Sequence, residues 1–407
     1  MLHFVIIGAG ECGARAAFAL REKGFDGDIT LIGAEPVAPY ERPPLSKEGL
    51  ILAHEPKFVA VLERYADQRI DLRLATHATD IDPIGKVATL SDGQTLSYDK
   101  LLLATGASAR SFPGIAGGER IRMLRTHADA LALRPALLPG RHIAVIGGGF
   151  IGLELAATAR KLGADVTVIE GLPRVLKRGV PEAVAEVIAQ RHRDEGVDIR
   201  CGETIASIED GAANAIVRLA GGEELSADLV LIGIGAQPNV ALAEKAGLAI
   251  ENGIAVNERL ETSAADIYAA GDCCSFPLAL YGGRRVRLES WRNAQEQGTL
   301  AAANLLSEGN SISAVPWFWS DQYDLTLQIA GLADGATTML RRDLGEDAFI
   351  LFHLDEAGRL LAASGIGRGN AVARDIRLAE MLIAARAHPD PEALTASHVK
   401  LKSLLAA

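Results

Sequence analysis

The sequence predicts an α/β chain with two Rossmann-like dinucleotide-binding domains and a C-terminal α+β domain, on three observations. An apolar run leading into Gly-x-Gly-x-x-Gly occurs twice, as HFVIIGAGECG at residues 3–13 and HIAVIGGGFIG at 142–152. Each loop is followed by a helical stretch and a second apolar strand, which makes a βαβ unit. From about residue 316 the pattern changes to period two, with Leu325, Leu327 and Ile329 alternating as in an antiparallel sheet.

Composition narrows the class. The 407 residues carry 41 Lys and Arg against 52 Asp and Glu, a formal charge of -11, with 49% apolar and 23% charged residues. That balance excludes wholesale disorder and fibrous repeats. At roughly 150 residues per domain the length allows two to three domains. No apolar run reaches the roughly 18 residues of a membrane span, and an acidic chain is a poor general nucleic-acid binder. The N-terminal MLHFVII lacks a basic region and runs straight into a glycine loop, so it reads as a first strand and not as a signal peptide. Cys12, Cys201, Cys273 and Cys274 show no CxxC spacing, so neither a zinc clip nor a thioredoxin-type dithiol is indicated. Reduced, buried thiols in a cytoplasmic protein with no metal are expected.

The elements follow in order. Gly8 permits the tight turn, Gly10 lets a pyrophosphate approach the backbone, and Gly13 allows close helix–strand packing. A helix over Ala14 to Lys23 and the strand DITLIG follow, and Glu35, just beyond that strand, is the candidate for the first ribose. The second loop repeats the design at an offset of 147 − 8 = 139 residues, with Gly147, Gly149 and Gly152, the helix LELAATARKLG and the strand DVTVIE. Glu170 closes that strand 170 − 152 = 18 residues past Gly152. A carboxylate there accepts from ribose hydroxyls and repels a 2′-phosphate, favouring NAD(H), although Arg174 and Arg178 follow closely. Two such sites imply FAD as the N-terminal prosthetic group and a nicotinamide nucleotide as the exchanging substrate. KLLLATG (100–106), DLVLIGIG (228–235) and IYAAGD (267–272) read as further strands ending at a ligand crevice, the last offering Asp272 to a ribityl hydroxyl or, through water, the pyrophosphate. A helix over Arg374 to Ala385 completes the C-terminal domain.

PYERPPLSK (39–47), LLLATGA (101–107), IGGGFIGLE (146–154), TSAADIYAAGD (262–272), RLESWRNAQEQ (287–297) and PWFWSDQYD (316–324) occur in that order. Together they resemble the FAD-dependent, NADH-using ferredoxin reductases that serve Rieske-type aromatic-ring dioxygenases and bacterial haem-thiolate monooxygenases. The resemblance covers nearly the whole chain and implies a glutathione-reductase-like architecture. Its FAD domain is split over 1–108 and 238–315, an NAD domain occupies 109–237, and a C-terminal domain over 316–407 covers the flavin. It also implies that Arg42 and Lys47 contact FAD, with the Lys47 ammonium near flavin N5 and Glu154 paired with it. For Glu154 the plainer reading is a first-turn acid favoured by the helix macrodipole. Thr105, Gly106, Arg125, Trp291 and Trp319 match positions at the flavin. The candidate FAD set also takes Cys12 and Ala78, and the candidate NAD set takes Phe150, Ile151, Arg178 and Gly235.

The implied reaction is hydride transfer from NADH to FAD, then single electrons to a two-iron two-sulfur ferredoxin, an acidic partner, that feeds an oxygenase. The protein itself would be a monomer or weak homodimer. Alternatives are a rubredoxin reductase, an NADH oxidase, or a non-catalytic NADH-sensing flavoprotein like apoptosis-inducing factor. Disulfide reductases and NADH peroxidases need a redox cysteine in the flavin-facing segment, which here reads RPPLSK. Trp317 shares a strand face with Trp319, as an outward electron path or as core. Arg284, Arg285, Arg287 and Arg292 form a basic cluster that either steers the ferredoxin or is a solvated turn with locally paired charges. Glu11 and Cys12 in the first loop, and the Cys273–Cys274 pair, depart from the family pattern. Glu11 would put a carboxylate beside the pyrophosphate, so it must point away or be protonated. The adjacent Cys273 and Cys274 read as two small buried thiols.

Overall fold

The computed structural model describes residues 1–52, 55–115, 117–345 and 347–405. The chain divides into two compact units. The first takes Met1–Glu41, Pro56–Ser108 and Gln237–Ala314, and the second takes Arg42–Glu55, Ala109–Ala236 and Val315–Ala407.

In the first unit a five-stranded parallel sheet runs in the order Ile267–Ala269, Lys100–Leu103, His3–Ile7, Asp28–Ile32, Ile70–Arg73. Its central strand is a continuous apolar run because both faces are covered, and Phe4, Val5 and Ile6 are buried. The helix Glu11–Glu22 covers one face with Ala14, Ala16, Ala17 and Ala19, and their small side chains let the helix Trp291–Leu305 pack closely against it. A Cβ at Gly298 would stand 2.5 Å from the Cys12 carbonyl oxygen, so only glycine permits that approach.

The second unit holds a matching parallel sheet in the order Asp198–Cys201, Asp165–Glu170, His142–Ile146, Leu229–Ile232, Ile121–Arg122. Beside it a three-stranded antiparallel sheet over Ile205–Asp210, Ala215–Leu219 and Glu224–Ala227 shares its core through Ile146, Ile169, Ile208 and Val217. The same unit contains the C-terminal antiparallel sheet, ordered Trp317–Gln322, Leu325–Gly331, Leu360–Arg368, Phe349–Leu354, Thr338–Asp343. The helix Ala373–Ala384 lies on it through Ile376, Ala379, Leu382 and Ile383. The expected alternation holds at Leu325 and Leu327, which are buried, but Ile329 is only half-buried and the neighbouring Gln328 is buried instead.

The internal repeat extends to side-chain hydrogen bonds. His3 Nε2 pairs with Thr30 Oγ1 at 2.9 Å and its Nδ1 with the Ser97 carbonyl at 2.7 Å. His142 repeats both, with Thr167 Oγ1 at 3.0 Å and the Ser226 carbonyl at 2.7 Å. The backbone N–H of each histidine donates to an aspartate, Asp99 or Asp228. Both helices begin earlier than the sequence reading placed them, at Glu11 and Phe150, because each loop's third glycine is taken into the first helical turn.

Candidate functional site

The first glycine loop is shaped for a phosphate group. Gly8 has φ +114°, and a Cβ there would meet the Ala104 carbonyl oxygen at 2.1 Å. A Cβ on Gly13 would stand 1.9 Å from the Gly8 carbonyl oxygen, whereas one on Gly10 would meet nothing within 4 Å. Gly10 is the N-cap of a 12-residue helix and carries no side-chain cap, so the first-turn amides keep their donors for a ligand. That arrangement fits a dinucleotide pyrophosphate. The turn Gly271–Cys273 follows the strand Ile267–Ala269, holds Asp272 half-buried, and is fastened by Gly271 N–H donating to Gln297 Oε1 at 2.7 Å. Gln297 Nε2 is buried without a partner, a donor left for a bound group. Thr105 exchanges hydrogen bonds with Asn239, its Oγ1 donating to the Asn239 carbonyl at 2.7 Å, which fixes the Thr105–Gly106 turn. Glu35 Oε2 accepts the Tyr40 hydroxyl at 2.5 Å. Ala78 begins the antiparallel strand Ala78–Asp82 of this unit, and Trp291 begins its helix at the N-terminus.

Glu11 does turn aside. Its Oε1 accepts Gln295 Nε2 at 2.9 Å, and burial pushes its carboxyl above the ordinary range. Cys12, Cys273 and Cys274 are buried, and burial raises all three thiols. Cys201 corrects the expectation of four buried thiols, because it ends an edge strand and stays half-exposed.

The second loop repeats the phosphate geometry in the other unit. A Cβ on Gly152 would stand 2.0 Å from the Gly147 carbonyl oxygen, Gly149 is an uncapped helix N-cap, and Gly235 has φ +107° with open space beside it. Glu170 Oε2 accepts the Gly148 N–H at 2.7 Å and Oε1 the Leu172 N–H at 2.8 Å. Arg174 is tied to its own loop through the Val175 and Val180 carbonyls, while Arg178 is exposed. Ile151 is exposed at the helix start.

The same unit brings Lys47 and Glu154 together and adds residues that sequence reasoning missed. The short helix Pro43–Ser46, the helix Phe150–Lys161 and the strand Trp317–Gln322 converge there. Two residues of strand rise match four of helix rise at about 6 Å, so alternate strand positions meet successive helical turns. Phe318 meets Phe150 with centroids 4.4 Å apart, and Ser320 donates to Glu154 Oε1 at 2.5 Å. Gln322 Oε1 pairs with buried His192 Nε2 at 2.8 Å. Ser46 donates to Glu154 Oε2 at 2.5 Å, and Lys47 Nζ stands 3.4 Å from Glu154 Oε1 and 3.3 Å from Asp321 Oδ2. Glu154 is therefore no exposed first-turn acid; it is 5% exposed, one turn into the helix. Burial pushes its carboxyl upward, opposed by Lys47 and the two serine hydroxyls. Trp317 stacks on Trp319 at 5.4 Å, and both are half-buried, so Trp317 is not a core residue. Arg42 donates to the Arg125 carbonyl at 2.6 Å. Asp321 stood inside a motif already singled out, two positions past Trp319, but nothing local marks it as a lysine partner.

The basic cluster is largely neutralised in place. Arg285 pairs with Glu251 at 3.0 Å, Arg292 with Glu296 at 2.8 Å, and Arg287 with Glu289. This favours the solvated turn over a steering patch.

Residues 2–298 match the model of the pyridine nucleotide-disulphide oxidoreductases, and residues 317–405 match the reductase C-terminal domain. The chain is 43% identical over 406 residues, 99% of each chain, to the ferredoxin–NAD(+) reductase component of an anthranilate 1,2-dioxygenase system from Burkholderia cepacia. It is 39% identical to putidaredoxin reductase of Pseudomonas putida, across all of this chain and 97% of that one. Its fold superposes with TM-score 0.93 on the reductase of a covalent putidaredoxin reductase–putidaredoxin complex, at 38% identity, covering 99% of this chain and 98% of the other. With two uncapped glycine loops, no cysteine in the segment before Lys47, and a C-terminal sheet that supplies Trp319 and Asp321, the chain belongs to the pyridine nucleotide-disulphide oxidoreductase family.

Proposed function

We propose that this chain is an FAD-dependent NADH:ferredoxin reductase. Its ferredoxin is a two-iron two-sulfur protein feeding an oxygenase of aromatic catabolism, either a Rieske dioxygenase or a haem-thiolate monooxygenase. The observation that carries this reading is likeness to such reductases over 99% of both chains, through the C-terminal domain. FAD, when bound, supplies the conversion of a two-electron hydride transfer from NADH into single-electron transfers.

The chain's residues bind and set charge. Gly8, Gly10, Gly13, Glu35, Thr105, Gly106 and Asp272 serve the FAD dinucleotide, joined by Cys12, Arg42, Ala78, Arg125, Trp291 and Trp319. Gly147, Gly149, Gly152, Phe150, Ile151, Glu170, Arg178 and Gly235 serve NADH. Lys47 provides a cation where the flavin gains negative charge, and Glu154 keeps that ammonium oriented in a partly dry cleft. We take the FAD-binding domain as 1–108 and 238–315, the NAD-binding domain as 109–237, and the C-terminal domain as 316–407. Among the described residues no helix is long and apolar enough to cross a membrane. We place the protein in the cytoplasm on its free thiols Cys12, Cys201, Cys273 and Cys274, which fit a reducing compartment.

The test is NADH-driven reduction of cytochrome c with and without a two-iron ferredoxin. Turnover is expected to need the ferredoxin, and Lys47→Ala is expected to slow flavin reduction at least about tenfold with FAD retained. Turnover indifferent to every two-iron ferredoxin would overturn the reading in favour of an oxidase or a sensor.

A further inference from the structure

Asp321 lies two residues past Trp319 on the strand Trp317–Gln322, so both side chains leave the same face. Asp321 Oδ2 accepts the Trp319 indole N–H at 3.0 Å and the Lys47 ammonium at 3.3 Å. Its Oδ1 accepts the Thr326 hydroxyl at 2.8 Å. Lys47 Nζ stands 5.8 Å from the Trp319 ring centroid. The ammonium is thus shared between two carboxylates of different character. Glu154 has its side chain 6% exposed and held by two serine hydroxyls, and Asp321 has its side chain 44% exposed and tied to the tryptophan. One lysine thus faces two carboxyl groups, and of the two only Glu154 is enclosed.

We propose that Asp321 is a positioning residue of this site, fastening the Lys47 ammonium to the Trp319 indole while its own negative charge opposes electron uptake by the bound flavin. The proposal rests on the reading above that Lys47 and Trp319 serve FAD. The two roles of Asp321 act in opposite directions. The fastening favours fast transfer because it removes rotamer freedom from a lysine and a tryptophan. The charge lowers the flavin's affinity for electrons, because reduction adds negative charge beside it.

The test is the midpoint potential of bound FAD, measured by photoreduction without NADH or ferredoxin, together with stopped-flow reduction by NADH. For Asp321→Asn the equilibrium constant for flavin reduction is expected to rise about threefold to tenfold, tenfold being about 30 mV for a two-electron couple. Its reduction by NADH is expected to slow about tenfold. This pairing of easier reduction with slower transfer is one that a general loss of structure does not produce. Asp321→Glu restores the wild-type potential. Thr326→Val keeps the charge but removes the support, so it slows reduction at an unchanged potential. It also carries the test if Asp321→Asn loses FAD. Wild-type potential and wild-type rate in Asp321→Asn, at an unchanged melting temperature, would overturn the proposal. A wild-type flavin that NADH does not reduce would instead sink the functional reading, and the photoreduction potentials would still report on Asp321.

Discussion

Glu170 folds back onto its own glycine loop, its Oε2 accepting the Gly148 N–H at 2.7 Å. With Leu172 N–H on the other oxygen, the carboxylate is fixed in place before any nucleotide arrives. A carboxylate preorganised this way offers its remaining lone pairs to ribose hydroxyls at little ordering cost. Glu170→Ala is therefore expected to raise the KM for NADH about tenfold with a smaller change in kcat, since a lost hydrogen bond to a charged group costs about 1.5–3 kcal/mol. Glu170→Arg should shift the ratio of kcat/KM values toward NADPH. Steady-state kinetics with both nucleotides reads this out, and an unchanged ratio in the arginine variant would remove Glu170 from the ribose.

Two buried histidines make the folded state sensitive to acid. Burial pushes His192 and His353 down to about 4 from an ordinary value of 6.5. Both depressions mean that the unfolded chain binds protons that the folded chain refuses between pH 6.5 and about 4. Stability from each is therefore fully present above pH 6.5 and is lost as pH falls through that window, by roughly 3 kcal/mol per histidine. His353→Asn should flatten the urea midpoint against pH between 6.5 and 4. An equally steep loss in that variant would show that His353 is not buried as a neutral ring.

What could be read from the sequence was what lies close together along the chain. Gly8, Gly10, Gly13 and Glu170 announce themselves because a strand, a turn and a helix within thirty residues fix their geometry. Lys47, Glu154 and Asp321 are separated by 107 and 167 residues, counted as 154 − 47 and 321 − 154. Resemblance brought the first two together, and only the fold adds the third. The partner of a long cation is likewise not encoded locally: Arg285 finds Glu251, 34 positions away as 285 − 251, so the sequence alone left both readings of the cluster open. The His3 and His142 hydrogen bonds show the opposite case, where a repeat legible as two strands carries its side-chain partners with it.

The thiols should separate cleanly by reactivity. Cys12, Cys273 and Cys274 are buried with raised thiols, and Cys273 and Cys274 also spend their S–H groups on nearby oxygens, Cys273 on the Leu103 and Ala270 carbonyls, Cys274 on the Gly271 carbonyl and Gln297. Cys201 is half-exposed, although burial and the Glu170 carboxylate raise its thiol too. A chromogenic disulfide reagent should label about one thiol in the native protein, absent in Cys201→Ser, and about four after unfolding. Fast labelling of a second native thiol would place Cys12, Cys273 or Cys274 in a reactive environment.

Arg342 is the residue whose loss should cost the C-terminal segment most. It is 3% exposed on the edge strand Thr338–Asp343, so its guanidinium must find its partners inside the protein. Its Nη1 donates to the Leu394 and Ala396 carbonyls at 3.1 and 2.9 Å, and Nη2 to the Ser397 and Val399 carbonyls at 3.3 and 2.6 Å. Asp375 lies 3.6 Å from Nε, so the guanidinium joins the helix Ala373–Ala384 and the terminal segment to one strand. Four carbonyls that lose a buried donor together keep their desolvation cost, so Arg342→Ala should lower stability by about 3 kcal/mol or more. Because the contacts are concentrated at 394–399, release should precede global unfolding. Limited trypsin digestion should cut the variant after Lys400 or Lys402 at denaturant concentrations where the wild type is intact. Arg342→Lys should not rescue it, since a single ammonium cannot span four acceptors in the guanidinium plane. Equal unfolding midpoints and equal digestion patterns in the alanine variant would mean that the terminal segment is held by Leu394 and Leu401 packing alone, both of which are buried.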